Sequence, residues 1–373
     1  MSISLIQKIL AEVDLDGWLL YDFHGINPTF HKIVGVPEGR HITRRVYYWI
    51  PKIGTPWKIA NKIEEHVLDG IPGELKCYAR REELEAFLLQ ISGKVAMEYS
   101  MEIPYISFVD GGTIDYLCSL KKMEIASSGV LLQRLLSTLD EKGIASHLEA
   151  AKFLDKVVRD ASEYIRNTLP YEKDVVDYIM KRFKEEGFTT EHAPIVAKGS
   201  NSANPHYELK GRGDKIENGD FILIDLWCKK NYPGSIYGDI TRVFMLGEPS
   251  LKMKEAFSAV REAQKIGVSQ IKVGARGADV DTASREYLEK RGYGQYILHR
   301  LGHSIDTDLH GSGANFDSFE SFDTRKLILN TCYSVEPALY FPGEFGIRLE
   351  HDVLLTKDGV HVTGGVQEEI ICL

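Results

Sequence analysis

The chain has 373 residues, of which 43% are hydrophobic, and a formal net charge of −9. This length predicts two domains, and a negative charge without any Lys/Arg cluster argues against nucleic-acid and anionic-membrane binding. Five scattered cysteines without a CxxC pair argue against a disulfide framework and a cysteine zinc site. The acidic N-terminal segment is unlike a signal peptide, and no stretch is apolar enough to span a membrane, so we expect a cytoplasmic protein.

Residues 1–143 alternate short strands with helical stretches, which predicts a smaller α/β domain with its own core. The predicted strands are GWLLYD, RRVYYWI, GKVAMEYS, YISFVD and KMEIASS, and the predicted helices are RREELEAFLLQI and SGVLLQRLLSTL. The segment DEKGIAS, residues 140–146, is interpreted as a linker. Residues 147–373 then form the second domain.

The second domain is predicted to begin with a helix that follows a capping box, Ser146 and Glu149, and to continue with another helix after Pro170. Strands at APIVAK and DFILIDLW lead into a hairpin that carries two acids. The same order of helix, helix and acidic hairpin then recurs, with helices around residues 251–272 and 278–291. The recurrence predicts a pseudo-duplicated domain in which each half contributes one acidic pair to a shared site.

The two acidic pairs lie inside strand-like apolar runs, where carboxylates are costly unless a cation compensates them. Asp225 and Asp239 are fourteen residues apart, as are Glu336 and Glu350, and each pair flanks a turn signal that contains Pro and Gly. Read as β-hairpins, these segments bring the acids of each pair close together on one face. With His303 from RLGHSID they form an oxygen-rich set with one imidazole, which is the ligand chemistry of a pair of divalent metals.

A simpler alternative is that the acids face solvent on amphipathic strands and pair with Arg242 and Arg348. Two similarly spaced pairs and a suitable histidine favour the metal site over this alternative. Whether the acids of a pair lie directly opposite each other stays open, because a shift of one residue in either turn changes the geometry.

Five motifs of the second domain occur in a fixed order: IVAKGSNSANPHY, the two-Asp hairpin, HRLGHSIDTDLHG, SVEPALY and GIRLEHD. In this order they resemble the pita-bread metallopeptidases (family M24), which include Xaa-Pro aminopeptidase, Xaa-Pro dipeptidase (prolidase) and methionine aminopeptidase. The resemblance covers roughly residues 147–373. It implies an α/β (α+β) fold, with a pita-bread catalytic domain preceded by a smaller creatinase/prolidase-like domain. The metal ligands that it implies are Asp225, Asp239, His303, Glu336 and Glu350.

The resemblance also implies that three histidines, His206, His299 and His310, line the substrate site. Other interpretations exist, because a lone histidine is more often a hydrogen-bonded structural residue. His299 and His303 also have the i, i+4 spacing of a zinc pair on a helix. The segment lacks the glutamate of an HExxH motif, however, and its glycine and serine favour an extended chain.

The sequence departs from the family pattern at the walls of the expected site. CKKNYPGSI looks like a small insertion at the tip of the first hairpin, and GHSIDTDLHG replaces a GHGIG-like run. Gly311 stands where an acidic residue often follows the second histidine, and Ala338 replaces a common glycine. These differences leave the substrate preference open and do not touch the ligands.

The expected reaction is hydrolysis of the Xaa-Pro bond at the N-terminus of dipeptides or short peptides. Two divalent metals, Mn²⁺ or else Co²⁺ or Zn²⁺, would be used. Asp225 and Glu350 would bridge the two metals, while Asp239 and His303 would each complete one of them. Glu336 would take the proton of the attacking water and pass it to the leaving amine.

The histidines would act on the peptide. His310 would donate a hydrogen bond to the developing oxyanion, and His206 and His299 would position the residue after the scissile bond. Arg348, two residues before a ligand, is a candidate to orient the ligating carboxylates or to bind substrate.

Dipeptidase and aminopeptidase activities stay open at this point. A dipeptidase needs a cation for the C-terminal carboxylate of its substrate, and Arg325 is either that cation or part of a surface salt bridge with Asp323 or Glu320. Two further classes share the fold: a creatinase-like amidinohydrolase and a non-catalytic binding protein. The expected partners are a peptide substrate and a second copy of the chain in a homodimer.

Overall fold

The structure, a computed structural model, describes residues 2–37 and 39–373. The chain divides into two compact units, residues 1–135 and 136–373, and both contain helices and strands. In the described ranges, no helix combines the length and the apolarity needed to cross a bilayer.

The elements of the first unit, in chain order, are α1 (Ile3–Glu12), β1 (Gly17–Asp22), α2 (Pro28–Phe30), β2 (Val46–Pro51), β3 (Trp57–Asn61), β4 (Glu74–Tyr78), α3 (Arg81–Leu88), β5 (Gly93–Met97), α4 (Gly111–Ser119), β6 (Met123–Ser127) and α5 (Gly129–Leu136). The strands form one sheet in the order β4-β3-β2-β1-β5-β6. Strand β1 is buried along its whole length, as its apolar sequence GWLLYD predicts, and apolar residues of α3 and α4 complete the core.

One predicted strand of this unit is wrong. YISFVD, residues 105–110, overlaps a 3₁₀ turn at Pro104–Ile106 and then continues as irregular chain. The backbone N–H groups of Phe108 and Val109 both donate to the carbonyl of Glu98. These two hydrogen bonds turn the chain back on itself instead of adding it to the sheet.

The elements of the second unit are α6 (Glu141–Thr168), α7 (Glu172–Glu185), β7 (Phe188–Thr189), β8 (Ile195–Lys198), β9 (Phe221–Lys230), β10 (Gly238–Met245), α8 (Leu251–Gln270), α9 (Gly277–Lys290), β11 (Ser304–Ile305), β12 (Thr331–Val335), β13 (Ala338–Phe341), β14 (Phe345–Arg348), β15 (His351–Thr356), β16 (Gly359–Thr363) and β17 (Ile371–Cys372). Two helices followed by an acidic hairpin occur in both halves, as predicted.

Helix α6 begins at Glu141, earlier than predicted, so the segment 140–146 is the cap and first turns of a helix and does not form a linker. Asp140 caps the helix, because its side chain accepts a hydrogen bond from the backbone N–H of Gly143. Ser146, the predicted cap, lies inside the helix, where its hydroxyl accepts from the backbone N–H of Ile236. The predicted domain boundaries at residues 143 and 147 therefore both fall within α6.

Strands β9 and β10 form the first acidic hairpin in the middle of a five-stranded sheet. Asp225 lies opposite Thr241 and Asp239 lies opposite Trp227, so the two acids are diagonal neighbours on one face. Gly238 lets β10 approach α6 closely, because a Cβ at this position would lie 2.9 Å from a backbone nitrogen of that helix. The position of Asp239 is thus fixed by the packing of its strand on α6.

The second acidic hairpin is interrupted where its acids lie. Strand β12 pairs with β15 and β13 pairs with β14, and both ladders share one register. Extended across the gap between the ladders, this register sets Glu336 opposite Glu350. Both residues lie outside the strands, so their backbone groups do not take part in the hydrogen bonds of either ladder.

Candidate metal centre

The four acids are buried, which excludes the alternative in which they face solvent. Asp225, Asp239 and Glu350 expose 7%, 4% and 3% of their surface, and the side chain of Glu336 is 15% exposed. Of the two arginines which that alternative assigned as partners, Arg348 does pair with Asp225, but Arg242 donates to backbone carbonyl groups. One arginine cannot balance four carboxylates, so the acids need another source of positive charge.

His303 reaches the acids from the segment before β11. Its backbone N–H donates to the hydroxyl of Ser334 (3.0 Å), and a Cβ on the preceding Gly302 would lie 2.1 Å from the Ser334 carbonyl oxygen. The ring atom Nδ1 lies 3.0 Å from the carbonyl oxygen of Ser304. Because a carbonyl only accepts, Nδ1 carries the proton and the lone pair is on Nε2, which faces the acids.

The donor atoms converge on one point. Nε2 of His303 lies 3.7 Å from Oδ2 of Asp239 and 3.4 Å from Oε1 of Glu336. Ligand atoms of Asp239, His303 and Glu350 all lie within 4.8 Å of one another. Oδ1 of Asp239 is buried and has no hydrogen-bond partner among the residues that the structure describes. A divalent cation would satisfy this oxygen, and carboxylates with one imidazole are ligands that such cations accept.

The titration behaviour of the acids supports the same conclusion. Burial raises the pKa of Asp239 and Glu350 well above the ordinary values, and neighbouring carboxylates raise both further. Burial also raises the pKa of Glu336 to about 7, against the opposing charge of Arg348. Several carboxylates this close cannot all ionise without a compensating cation, so the residues present fit a metal.

Arg348 and Thr241 tie the carboxylates together. The guanidinium of Arg348 forms an ion pair with Asp225, and its Nε donates to Oγ1 of Thr241 (3.0 Å). The Thr241 hydroxyl lies 2.6 Å from Oε2 of Glu350 and 3.1 Å from Oδ1 of Asp225. A hydroxyl has one proton, so it donates to the nearer Glu350. This network orients one acid from each hairpin.

A cavity of about 480 Å³ adjoins the acids, and His206, His299 and His310 all line it. The ring of His310 meets that of His303 edge to face, with centroids 4.4 Å apart. Burial, followed by the charge of Arg300, lowers the pKa of His310 to about 4. His310 is therefore neutral at pH 7 and has one N–H to donate into the cavity.

His299 differs from the other two, because both of its ring nitrogens are occupied. Nδ1 lies 2.7 Å from the carbonyl oxygen of Arg300, so Nε2 accepts from the hydroxyl of Tyr340 (2.8 Å). Tyr340 in turn accepts from Nη1 of Arg348 (3.1 Å). In this arrangement His299 has no donor left for a substrate, and it instead orients Tyr340.

Residues 145–357 match the model of metallopeptidase family M24. The chain belongs to this family. It is 32% identical over 243 residues to the Xaa-Pro dipeptidase of Pyrococcus furiosus, a match that covers 64% of this chain and 65%, just under two thirds, of that protein.

Two solved structures extend the M24 comparison to the whole chain. A recombinant prolidase from Thermococcus sibiricus matches with a TM-score of 0.67 and 26% identity, covering 100% of this chain and 98% of that one. Dipeptidase PepE from Mycobacterium ulcerans has a TM-score of 0.75 and covers 99% and 96%, but at 20% identity it is alike in fold alone. The predicted family, metallopeptidase class and pita-bread fold are confirmed, and the family implies a divalent metal cofactor.

Arg325 is placed away from the M24 site. It exposes only 6% of its surface, and its guanidinium contacts Asp323 through Nη2 (2.6 Å) and Nε (3.0 Å) and the carbonyl of Ser312 through Nη1 (2.9 Å). It lines neither of the two cavities at the acids. The structure therefore favours the salt bridge with Asp323 over carboxylate binding, although the pair is buried and does not lie on the surface.

Sequence reasoning missed two hydroxyl groups of the site, Thr241 and Tyr340. Thr241 lies two residues after Asp239 on β10, so strand alternation puts both on one face. Tyr340 lies four residues after Glu336, an even spacing that predicts the same face of an extended chain. The alternation was a usable signal, but hydroxyl groups also occur on many ordinary strands.

It also missed Gln264 of α8, which bridges the interruption in the second hairpin. Its Nε2 donates to the carbonyl of Val335 (3.0 Å) and to that of Leu349 (2.8 Å). These residues directly precede Glu336 and Glu350. Gln264 therefore supplies the hydrogen bonds that the broken ladder lacks, and holds both acids in place.

Proposed function

We propose that this chain hydrolyses the Xaa-Pro bond at the N-terminus of dipeptides or short peptides with two divalent metal ions. The observation that carries the proposal is the buried group of Asp239, His303 and Glu350, whose ligand atoms lie within 4.8 Å of one another beside an open cavity. Asp225 and Glu336 are proposed to complete the ligand set. The similarity to a protein named Xaa-Pro dipeptidase supports the substrate class.

In this proposal Glu336 moves the proton. Its carboxylate lines the cavity and lies 3.4 Å from Nε2 of His303, so it lies beside the point where the ligand atoms converge. It would accept the proton of the attacking water and transfer it to the prolyl nitrogen of the leaving group. The chemistry that bound divalent cations supply here is Lewis acidity and a lower pKa of that water.

The remaining side chains bind and orient the peptide. Neutral His310 would donate its N–H to the oxyanion that develops on the scissile carbonyl. His206, exposed at the rim of the cavity, would contact the peptide in the ground state. Because both nitrogens of His299 are occupied, we assign it the orientation of Tyr340 and Arg348.

The metal is proposed to be Mn²⁺, because carboxylates dominate the ligand set, with Co²⁺ and Zn²⁺ as substitutes. Arg348 is proposed to orient Asp225, with which it forms an ion pair. The homodimer and the cytoplasmic location stay predictions.

The test combines elemental analysis with peptide cleavage. We expect about two divalent ions per chain in protein loaded with Mn²⁺, cleavage of Ala-Pro, and loss of cleavage after chelation. Ala-Ala is the matched control and should be cleaved much more slowly. A creatinase-like enzyme or a non-catalytic protein would hold no stoichiometric metal and would leave Ala-Pro intact, and either result would overturn the proposal.

A further inference from the structure

Two segments in which the sequence departs from the M24 pattern contact each other in the structure. GHSIDTDLHG runs into an irregular segment, residues 306–312, which carries His310 and which we call the His310 loop. CKKNYPGSI lies at the tip of the first acidic hairpin, and Nζ of its Lys229 donates to the carbonyl of Thr307 in the loop (2.5 Å). The two departures therefore belong to one part of the fold, beside the proposed oxyanion donor.

The His310 loop is closed by the carboxylate of Asp306, which stands where a GHGIG-like run has its last glycine. Asp306 is fully buried. Its Oδ1 accepts from the backbone N–H of Asp308 (2.9 Å), and its Oδ2 accepts from the backbone N–H of Ser312 (2.8 Å) and from the hydroxyl of Ser137 (2.8 Å). One side chain thus binds the backbone on both sides of His310 and fastens the loop to a residue outside it.

Gly311 is the second change in this loop, and it matches the first. A Cβ at residue 311 would lie 2.9 Å from Oδ2 of Asp306 and 3.0 Å from the backbone nitrogen of Asp306. Any side chain at this position, including the acidic residue that often follows the second histidine, would displace the buried carboxylate. The aspartate at position 306 therefore requires the glycine at position 311.

The loop also fixes His310 relative to the metal ligand His303. The carbonyl oxygen of Ser304 accepts from the backbone N–H of Gly311 (2.7 Å) and from Nδ1 of His303 (3.0 Å), which uses both of its lone pairs. The rings of His303 and His310 lie edge to face, with centroids 4.4 Å apart. An oxyanion donor acts only within a narrow range of distances, so a loop that sets this spacing bears directly on the reaction.

We propose that Asp306 is a positioning residue for His310: by closing the His310 loop it holds the imidazole N–H where the oxyanion develops. This inference rests on the proposed function, in which His310 is the oxyanion donor. Asp306 itself contacts neither the substrate nor a metal in this proposal. It acts by making the donor rigid before the substrate binds, which is how such a donor stabilises a transition state.

The test is a double-mutant cycle on metal-loaded protein with Ala-Pro as the substrate. Asp306→Asn keeps the size of the side chain, but its amide nitrogen cannot accept, so at least one buried donor loses its partner. We expect kcat to fall about tenfold or more, with a much smaller change in KM and with both metals retained. In the His310→Ala background the same substitution should change kcat by less than about twofold, because the group that it positions is already gone.

Two further variants complete the experiment. Asp358→Asn, at an exposed position in the turn after β15, is the matched control and should behave as wild type in both backgrounds. Ser137→Ala removes one donor and leaves the carboxylate in place, so it decides the question if Asp306→Asn does not fold. It should lower kcat by a smaller factor, and again only when His310 is present.

The outcomes separate this inference from the proposed function. An unchanged kcat in both Asp306→Asn and Ser137→Ala, or the same fold-loss with and without His310, would overturn the inference and leave the proposed function standing. Loss of a metal ion in Asp306→Asn would also overturn it, since the residue would then act through His303. Failure of the metal-loaded wild type to cleave Ala-Pro would overturn the proposed function, and the inference with it.

Discussion

Gln264→Met should weaken metal binding, although within the described residues Gln264 forms no hydrogen bond to the side chain of a proposed ligand. In the folded chain its Nε2 donates to two carbonyls, those of Val335 and Leu349, on opposite sides of the interrupted hairpin. Methionine fills a similar volume but donates nothing, so both carbonyls lose this donor in a buried site. The residues that follow them, Glu336 and Glu350, then lose the connection that fixes their spacing.

The expected magnitude follows from the two hydrogen bonds. A buried acceptor left without its donor costs about 1–3 kcal/mol, so two of them give roughly 2–6 kcal/mol as an upper range before the chain relaxes. Partners that orient ligating carboxylates typically affect metal affinity by about 10–100-fold. Gln264→Glu should be at least as harmful, because it places an oxygen against two carbonyl oxygens.

The assay is calorimetric titration of metal-free protein with Mn²⁺, together with denaturant unfolding with and without the ion. Gln270→Met, an exposed position at the end of the same helix, is the control and should behave as wild type. Wild-type metal affinity and wild-type stability in Gln264→Met would refute the argument that this residue holds the two acids in place.

Three further predictions test other parts of the chain. Asp239→Ala should lose one metal and most activity, because it removes a carboxylate from the ligand cluster; two ions per chain by elemental analysis would contradict this. His310→Ala should lower kcat on Ala-Pro about 10²-fold with both metals retained, since an oxyanion donor acts in the transition state; an unchanged kcat would exclude that role. In the first unit, burial raises the pKa of Glu98 from 4.5 to about 7. The folded state then binds this proton more tightly, so the unfolding free energy should fall as the pH rises from about 4.5 to 7, by on the order of 3 kcal/mol. Glu98→Gln should remove that slope in denaturant titrations.

The acidic hairpins could be predicted because burying a carboxylate costs free energy. An Asp or Glu inside an apolar run therefore indicates that something compensates its charge. The register of the hairpins could not be predicted. Equal spacing of fourteen residues produces a diagonal pair at Asp225 and Asp239 but sets Glu336 opposite Glu350. The difference arises from where each turn is centred. The residue pairs of β9 and β10 are symmetric about residue 233, one residue past the midpoint of Asp225 and Asp239, whereas those of β13 and β14 are symmetric about residue 343, midway between Glu336 and Glu350. The alternation of residue types predicts which face of the sheet a side chain lies on, but the position of the turn determines which residue lies opposite it.

The start of α6 is a second feature that the sequence analysis predicted wrongly, for a different reason. Residues 140–146 are interpreted as a linker from the sequence, but Asp140 caps the helix and accepts from the N–H of Gly143. The side-chain bond of Asp140 outweighs the low helix propensity of glycine. Gln264 could have been recognised from the sequence. It lies on the buried face of α8 with Phe257, Val260 and Gly267. A buried amide must find hydrogen-bond partners, so a glutamine at this position indicates a structural role.

Residues that look equivalent in the sequence differ in the structure in whether they still have a hydrogen-bond donor available for a ligand. His299 and His310 both line the cavity, but the first has used both ring nitrogens and the second has kept a donor. Arg325, the candidate for a substrate carboxylate, has likewise used its donors, on Asp323 and on the carbonyl of Ser312. A group whose bonds are already satisfied inside the protein gains little by binding a ligand, since each new bond would replace an old one. The side chains that act on substrate are therefore found by asking which buried donors the fold leaves unused.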